Sequence, residues 1–139
     1  MADKLKLEIV TPEGVTCSED VDMVTLPGVE GEMGIYPQHV PLMTQIVGGE
    51  IVVRKSGKEF YLAVGDGFVE ITGDRVSVLT DMAIRAENID EIKVEEARQK
   101  AQRMMQEKLS AEELAAVQAS LIRTSILLQV KRHRRKQSG

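Results

Sequence analysis

The chain has 139 residues, of which 42% are hydrophobic and 29% charged, a balance typical of a folded globular protein rather than a disordered one. Aromatic residues make up only 3% and Trp is absent, which argues against a platform that stacks single-stranded nucleic acid. No apolar run approaches the roughly 20 residues of a membrane-spanning helix, and a single cysteine, Cys17, excludes an internal disulfide and a multi-cysteine zinc site.

Charge and turn-forming residues divide the chain into two parts. Residues 1–84 contain 14 acidic and 6 basic residues, a net charge of −8, whereas residues 85–139 contain 8 acidic and 12 basic residues, a net charge of +4. All four prolines and ten of the eleven glycines lie before residue 74. Because these residues favour turns and interrupt helices, we expect short elements in the first part and long helices in the second, with a boundary near residues 84–88.

The first part, residues 1–84, is predicted to consist of short strands. Leu5, Leu7 and Ile9 alternate with polar residues, which is the period of a strand with one solvent-facing side. Further strand-like runs follow at a spacing of about ten residues, and two of the connections, residues 55–58 and 72–75, have the composition of hairpin turns. This pattern indicates an antiparallel β-sandwich or barrel.

Residues 88–136 are predicted to form two helices. Asn88 with Glu91, and Ser110 with Glu113, match the capping-box pattern that opens a helix. An apolar stripe follows the second box and consists of Leu114, Val117, Leu121, Ile122, Ile126 and Leu128. Because the connection at residues 108–110 is short, we expect an antiparallel hairpin, which could serve as a movable arm. The expected fold class is therefore α+β and mainly β.

No group of residues in the sequence matches a catalytic or metal site. His39 and His133 lie in different parts of the chain without the spacing of metal ligands. Gly65-Asp66-Gly67 precedes no predicted helix, so it indicates a tight turn rather than a phosphate-binding loop. Cys17 has no nearby base to activate it as a nucleophile. We therefore expect no catalytic activity and no metal.

A basic run, Lys131-Arg132-His133-Arg134-Arg135-Lys136, lies near the end of the second helix. It could stabilise the C-terminus of the helix through the helix dipole, contact an acidic partner or bind nucleic acid. The acidic first part argues against nucleic acid, and the other two interpretations stay open.

The most distinctive segment is Gly31-Glu32-Met33-Gly34-Ile35-Tyr36-Pro37-Gln38-His39-Val40-Pro41-Leu42. Its glycines and prolines predict an irregular loop, in which Ile35 and Tyr36 form an apolar pair. The segment resembles the G-E-[IML]-G-I-x-P-x-H-x-P-L signature of the epsilon subunit of bacterial rotary ATP synthases. The resemblance extends over almost the whole chain and includes Leu7–Pro12, Gly67–Ile71, Val76–Leu79 and Ile89-Asp90.

This resemblance implies a sandwich of about ten strands and two helices, in a subunit without catalysis of its own or a required cofactor. It implies a place in the central stalk, bound to the gamma subunit and the ring of c subunits. There the subunit would couple ring rotation to ATP synthesis in the alpha–beta head. The interface with gamma and the c ring would include Glu32 and His39, supported by Ile35, Tyr36 and Pro37.

The resemblance also implies that the C-terminal helices inhibit ATP hydrolysis by extending into the head. The positive charge of residues 85–139 suits an acidic region of a beta subunit. We expect the contact to include Arg123, Lys131, Arg132, Arg134 and Arg135. Because Met1–Leu7 resembles neither a signal nor a transit peptide, we expect a bacterial or plastid-encoded member, at the cytoplasmic face of the inner membrane in the bacterial case.

Some members of this family bind ATP on the folded hairpin through the motif Ile-Asp-x-x-Arg-Ala. The corresponding residues here are Ile89, Asp90, Lys93 and Val94, and Arg123 matches a phosphate-contacting arginine. Lys93 lacks the planar fork of the arginine that it replaces. ATP is therefore a candidate regulatory ligand of a weak site formed by Ile89, Asp90, Lys93 and Arg123, whereas a purely structural role of Ile89 and Asp90 at the helix start is the alternative.

Two other functions are alternatives to this one. A stand-alone nucleotide-sensing protein would bind ATP tightly and have no affinity for gamma. A nucleic-acid accessory protein would bind duplex DNA through the basic run with a steep salt dependence. Neither function accounts for the segment from Gly31 to Leu42.

Overall fold

The computed structural model describes residues 4–138, with side chains through Arg134. The chain divides into two compact units, Met1–Arg85 and Ala86–Gly139. The strands of the first unit are β1 (Leu5–Thr11), β2 (Gly14–Val21), β3 (Met23–Gly28), β4 (Gly31–Ile35), β5 (His39–Ile46), β6 (Gly49–Lys55), β7 (Lys58–Val64), β8 (Gly67–Gly73), β9 (Arg75–Thr80) and β10 (Ala83–Arg85).

The strands of the first unit enclose one apolar interior. Nine of them follow the order β10-β7-β6-β3-β5-β8-β9-β1-β2, and β4 pairs with β3 outside this path. On β1 the side chains of Leu5, Leu7 and Ile9 are fully buried, as the alternation in the sequence predicts. The other strands contribute Val24, Leu26, Ile51, Val53, Val69, Ile71, Val76 and Val78 to the same core. The predicted sandwich of about ten strands followed by two helices is confirmed.

One strand pair differs from the predicted antiparallel arrangement. β1 and β9 run parallel, with Ile9 opposite Val78. The hairpin signals in the sequence concern only strands that are neighbours along the chain. The pairing of the first strand with β9 comes instead from burial of both strands in the common core, which no local pattern encodes.

The two ends of the strand path meet at Glu19 on β2. Its carboxylate accepts a hydrogen bond from Lys55 Nζ on β6 at 3.1 Å and one from Arg85 Nη2 on β10 at 3.1 Å. The Arg85 guanidinium also lies 4.2 Å from the centre of the Phe60 ring. The hydrogen bond from Lys55 lowers the pKa of Glu19. These contacts fasten β2 to the opposite end of the strand path.

The second unit contains a 3₁₀ turn and two helices. The helices pack against each other as the predicted antiparallel hairpin, and their connection comprises residues 105–110 rather than only 108–110. The three elements are the 3₁₀ turn Ala86–Asn88, α1 (Glu91–Met104) and α2 (Ala111–Ser138).

The two predicted helix caps have different outcomes. The box at Ser110 is confirmed, because Ser110 N donates to Glu113 Oε1 and Glu113 N donates to Ser110 Oγ, both at 3.1 Å. The cap at Asn88 is wrong, since Asn88 ends the 3₁₀ turn. Asp90 is the N-cap of α1, and its Oδ1 accepts a hydrogen bond from Lys93 N at 3.1 Å.

The buried stripe of α2 differs from the one that the sequence predicts. Val117, Thr124 and Leu128 are buried at intervals of seven and four residues, whereas Leu114 and Ile122 are 37% and 64% exposed. Leu127 and Val130 are buried as well, so the buried face of α2 is widest near its C-terminal end and differs from the predicted stripe at Leu114 and Ile122.

Candidate partner-binding surfaces

The signature segment forms two strands and a tight turn, so the prediction of an irregular loop is wrong. β4 ends at Ile35, β5 begins at His39, and the turn between them places Gln38 at a φ of 66°. Gln38 N donates a hydrogen bond to Asp74 Oδ1 at 2.9 Å. Asp74 belongs to the turn between β8 and β9. A positive φ is uncommon for residues other than glycine, and the hydrogen bond from Gln38 to Asp74 stabilises this conformation of the turn that carries Tyr36.

The five interface residues predicted here differ in how accessible they are. Tyr36 is 56% exposed, whereas Ile35 is 1% exposed and belongs to the core. Ile35 therefore supports the turn from inside and offers no surface to a partner. Glu32 is exposed, and Pro37 and His39 are half-buried. The structure thus brings Tyr36, Pro37 and His39 together at one turn.

Glu32 lies beside a depression at the end of the sheet. An open cavity of about 450 Å³ is lined by β3, β4, β5 and the connection between β3 and β4. Glu30 and Glu32 both contribute to its wall, together with Met33 and Gln45. Two carboxylates beside an open cavity favour a partner that carries positive charge.

A row of exposed apolar side chains crosses four neighbouring strands, and the sequence patterns do not predict it. Phe68 lies opposite Leu79, Leu79 opposite Val10, and Val10 opposite Val15. Residues directly opposite each other point to the same side of a sheet. Phe68, Leu79 and Val15 are 55%, 55% and 61% exposed, and Val10 is half-buried. We call these four residues the outer apolar row.

The sequence does contain a signal for the outer apolar row. A strand with one wet face alternates apolar and polar residues. Ile9-Val10, Phe68-Val69 and Val78-Leu79 each place an apolar residue where that alternation would place a polar one. Such pairs can equally come from a strand buried on both sides, so only the register of the strands shows that the extra residues form one exposed row.

The basic residues of α2 form contacts within the hairpin. Arg132 Nε donates to Glu91 Oε1 at 2.9 Å, and Arg132 Nη2 lies 3.6 Å from Glu95 Oε2. Lys131 Nζ donates to the carbonyl oxygen of Ala86 at 3.0 Å. Two of the five residues predicted to contact the alpha–beta head thus join α2 to the start of the second unit.

The other three residues of that predicted contact are placed differently. Arg123 is exposed and Arg134 is half-buried. Arg135 lies beyond the residues whose side chains the structure describes. The contact itself stays a prediction.

The residues of the predicted ATP site have structural roles in the hairpin. Ile89 is 5% exposed, and the carboxylate of Asp90 caps α1. Lys93 and Arg123 are exposed, on α1 and α2. The roles of Ile89 and Asp90 match the structural alternative, and ATP binding stays a prediction.

The thiol of Cys17 is poorly suited to chemistry. Cys17 is 8% exposed, and burial, followed by the neighbouring Glu19 carboxylate, raises its pKa to about 11. The thiol therefore stays protonated at neutral pH, which is the unreactive form.

Within residues 4–138, no three His, Cys, Asp or Glu side chains are arranged to hold a metal ion, and neither helix is long and apolar enough to cross a membrane.

Comparison with known families agrees with the resemblance seen in the sequence. Residues 4–86 match the family model of the ATP synthase Delta/Epsilon chain, beta-sandwich domain. An ATP synthase epsilon chain of Dehalococcoides mccartyi is 50% identical over 98 residues, 70% of each chain. The epsilon chain of Herpetosiphon aurantiacus is 44% identical over 131 residues, which cover 94% of this chain and 96% of that one.

Two solved structures share the fold. A chain in the mitochondrial ATP synthase of Euglena gracilis, solved as OSCP/F1/c-ring, aligns with a TM-score of 0.66 at 22% identity, over 98% of this chain and 82% of that chain. A chain in the central stalk/c-ring of the Tetrahymena thermophila mitochondrial ATP synthase aligns with a TM-score of 0.61 at 11% identity, over 93% and 97% of the two chains. From the matched beta-sandwich model and the relatives at 44% and 50% identity, the chain belongs to the ATP synthase epsilon chain family.

Proposed function

We propose that this chain is a non-catalytic subunit of the central stalk of a proton-translocating ATP synthase. In this role it joins the gamma subunit to the ring of c subunits and regulates ATP hydrolysis in the alpha–beta head. The observation that carries the proposal is the outer apolar row, because it gives the rigid sandwich an exposed surface suited to a permanent protein partner.

The outer apolar row is proposed to bind gamma. Its side chains lie on four paired strands, so docking requires no loop to become ordered. Burying the exposed half of Phe68 and of Leu79 contributes roughly 1 kcal/mol each to association. Val10 and Val15 extend the surface to the edge of the sheet, which suits an elongated partner such as a helical stalk.

The end of the sandwich that carries Tyr36 is proposed to bind the c ring and the adjacent part of gamma. Tyr36 presents an aromatic ring on a turn that is held by Asp74, and preorganised aromatic residues are favourable interface anchors. Glu30 and Glu32 lie at the opposite end of β4, beside the open cavity, and supply negative charge there. Through these contacts the subunit is peripheral to the membrane, at the cytoplasmic face of the inner membrane in a bacterial cell.

The helical hairpin is proposed to be the regulatory arm. Its two helices contain 14 and 28 residues. Arranged end to end, they would span about 60 Å at the helical rise of 1.5 Å per residue. The basic residues at the end of α2 would then meet acidic residues of the head.

The proposal is tested by reconstituting an ATP synthase that has been depleted of its epsilon chain. Adding the wild-type chain should restore ATP-driven proton pumping, whereas Tyr36→Ala should restore less, because truncating an aromatic anchor can cost on the order of 2 kcal/mol. Lys58→Ala, at the exposed start of β7, is the control and should act as wild type. Failure of the wild-type chain to restore pumping would contradict the stalk function, and full activity of Tyr36→Ala would contradict its role as an anchor.

A further inference from the structure

Arg132, near the end of α2, contacts two carboxylates at the beginning of α1. Its guanidinium spans two carboxylates of α1, with Nε 2.9 Å from Glu91 Oε1 and Nη2 3.6 Å from Glu95 Oε2. Glu91 and Glu95 are four residues apart, so they lie on the same face of the helix, one turn from each other. A single planar guanidinium can therefore reach both carboxylates at once.

Neighbouring contacts hold this arrangement in place. Arg98 donates two hydrogen bonds to Glu95, at 2.9 and 2.6 Å, and these are the main cause of the lowered pKa of Glu95. The Glu95 carboxylate is thereby kept ionised and oriented toward Arg132. Lys131, the residue before Arg132, donates from Nζ to the carbonyl oxygen of Ala86 at 3.0 Å and so connects α2 to the 3₁₀ turn.

These contacts are only partly accessible to water. The side chains of Glu91 and Glu95 retain 21% and 26% of their exposure, against 44% for Arg132. An ion pair in such a position is less screened than one on an open surface. It also closes the hairpin at the end remote from the connection between the helices, where separation of α2 from α1 would begin.

We propose that Arg132, together with Lys131, is a latch that holds the helical hairpin closed by binding Glu91, Glu95 and the carbonyl of Ala86. The inference deepens the proposed regulatory function of the arm, on which it rests for its biological meaning. The same positive charges cannot bind α1 and an acidic surface of the alpha–beta head at the same time. Opening the arm is therefore an exchange of carboxylate partners, in which the head replaces Glu91 and Glu95.

The exchange and a simple contact with the head predict different effects when Arg132 is removed. If Arg132 acted only in the extended arm, its removal would weaken inhibition of ATP hydrolysis. As a latch residue, it also stabilises the closed hairpin, so its removal favours opening. The isolated full-length chain separates the two roles, because no head is present and only the latch can respond.

The experiment measures opening of the hairpin in the full-length chain. Cys17→Ser removes the native thiol, and Lys100→Cys and Ser125→Cys introduce thiols for spin labels at exposed positions on α1 and α2. Distance distributions are recorded by double electron–electron resonance, at a urea concentration where the wild-type hairpin is open in a measurable fraction. Arg132→Gln, Glu91→Gln and the double variant are compared with the wild type.

The latch predicts that Arg132→Gln raises the ratio of open to closed hairpin by about threefold. Glu91→Gln should have a smaller effect, since Glu95 still faces Arg132, and the double variant should exceed Arg132→Gln only slightly. Added salt should open the wild-type hairpin more than the Arg132→Gln hairpin. Arg103→Gln, an exposed residue of α1 for which the described residues show no ion pair, is the matched control and should leave the ratio unchanged.

Two results would overturn the latch. One is an unchanged ratio in Arg132→Gln, and the other is a double variant whose effect equals the product of the two single effects, since independent residues behave in that way. Neither result depends on whether the chain binds gamma or a c ring. Failure of the latch is thus distinguishable from failure of the stalk function.

Discussion

Phe68 on β8 lies directly opposite Leu79 on β9, and both side chains leave 55% of their surface exposed although they belong to paired strands. Their immediate neighbours in sequence, Val69 and Val78, are fully buried on the other side of the same strands. The two strands therefore present apolar residues on both faces. The inner face forms the core, and the outer face carries the outer apolar row that is proposed to bind gamma.

The sandwich should fold without the helical hairpin. Among the described residues, its buried core cluster comes from side chains between Leu5 and Val78, with Ala83 packed against it, and Glu19 joins both ends of the strand path within the same unit. We expect residues 1–86 to unfold in a single cooperative thermal transition, measured by circular dichroism next to the full chain. A broad, non-cooperative transition would show that the sandwich depends on the helices.

Ionisation of Cys17 should destabilise the protein at high pH. Its pKa is about 11 in the folded chain and 9.0 without the protein environment. The folded state keeps the proton that the unfolded state has lost, so this contribution is complete below pH 9 and disappears between pH 9 and 11. The loss should amount to about 2 kcal/mol.

The effect is measured as the free energy of unfolding in urea at several pH values, for wild type and Cys17→Ala. Subtracting the two profiles removes the titration of Lys and Tyr residues. A difference that stays constant from pH 8 to 11 would contradict the raised pKa of Cys17.

ATP binding should become stronger when the family motif is restored. Lys93→Arg supplies the planar fork, and Val94→Ala removes bulk next to it. We expect the double variant to bind ATP at least tenfold more tightly than wild type in calorimetric titrations of the full chain. Asp90→Asn keeps an N-cap residue and removes the charge, and it serves to test whether Asp90 takes part. Equal affinities of wild type and the double variant would argue against a site on this hairpin.

Removing the arm should increase ATP hydrolysis by the assembled enzyme. Deletion of residues 88–139 is expected to raise the hydrolysis rate while proton-driven synthesis persists, since the sandwich still joins gamma to the ring. Arg134→Gln with Arg135→Gln should raise hydrolysis to a smaller extent and reduce its dependence on salt. These two residues are changed without Arg132, because Arg132 binds Glu91 in the closed hairpin. Hydrolysis rates equal to wild type for the deletion would show that this arm is not an inhibitor.

Local features of the fold could be predicted from the sequence, and long-range ones could not. The hairpin turns at residues 55–58 and 72–75 and the cap at Ser110 depend on neighbouring residues, and each is present. The parallel pairing of β1 with β9 depends on the assembled core. At the start of α1, Asn88 and Asp90 are both good cap residues. Asn88 belongs to the 3₁₀ turn, so Asp90 is the N-cap.

The candidate surfaces also divide into local features, which the sequence predicts, and long-range ones, which it does not. The sequence predicts the surface with Tyr36 and His39 because its residues are nearly consecutive. The outer apolar row joins residues from four strands, and Arg132 meets a glutamate 41 residues earlier. Such contacts follow from strand register and helix packing, which a linear pattern does not contain.

The most direct test of the stalk function is the affinity of the chain for isolated gamma, measured by titration calorimetry. Phe68→Thr with Leu79→Thr removes the two largest side chains of the outer apolar row and keeps residues that favour strands. The control is Val47→Thr with Ile92→Thr, which removes two exposed apolar side chains outside the row. The account predicts tenfold or greater weakening, on the order of 1.4 kcal/mol or more, for the row variant alone, with an unchanged melting temperature. Wild-type affinity for the row variant, or no binding of gamma by the wild-type chain, would contradict it.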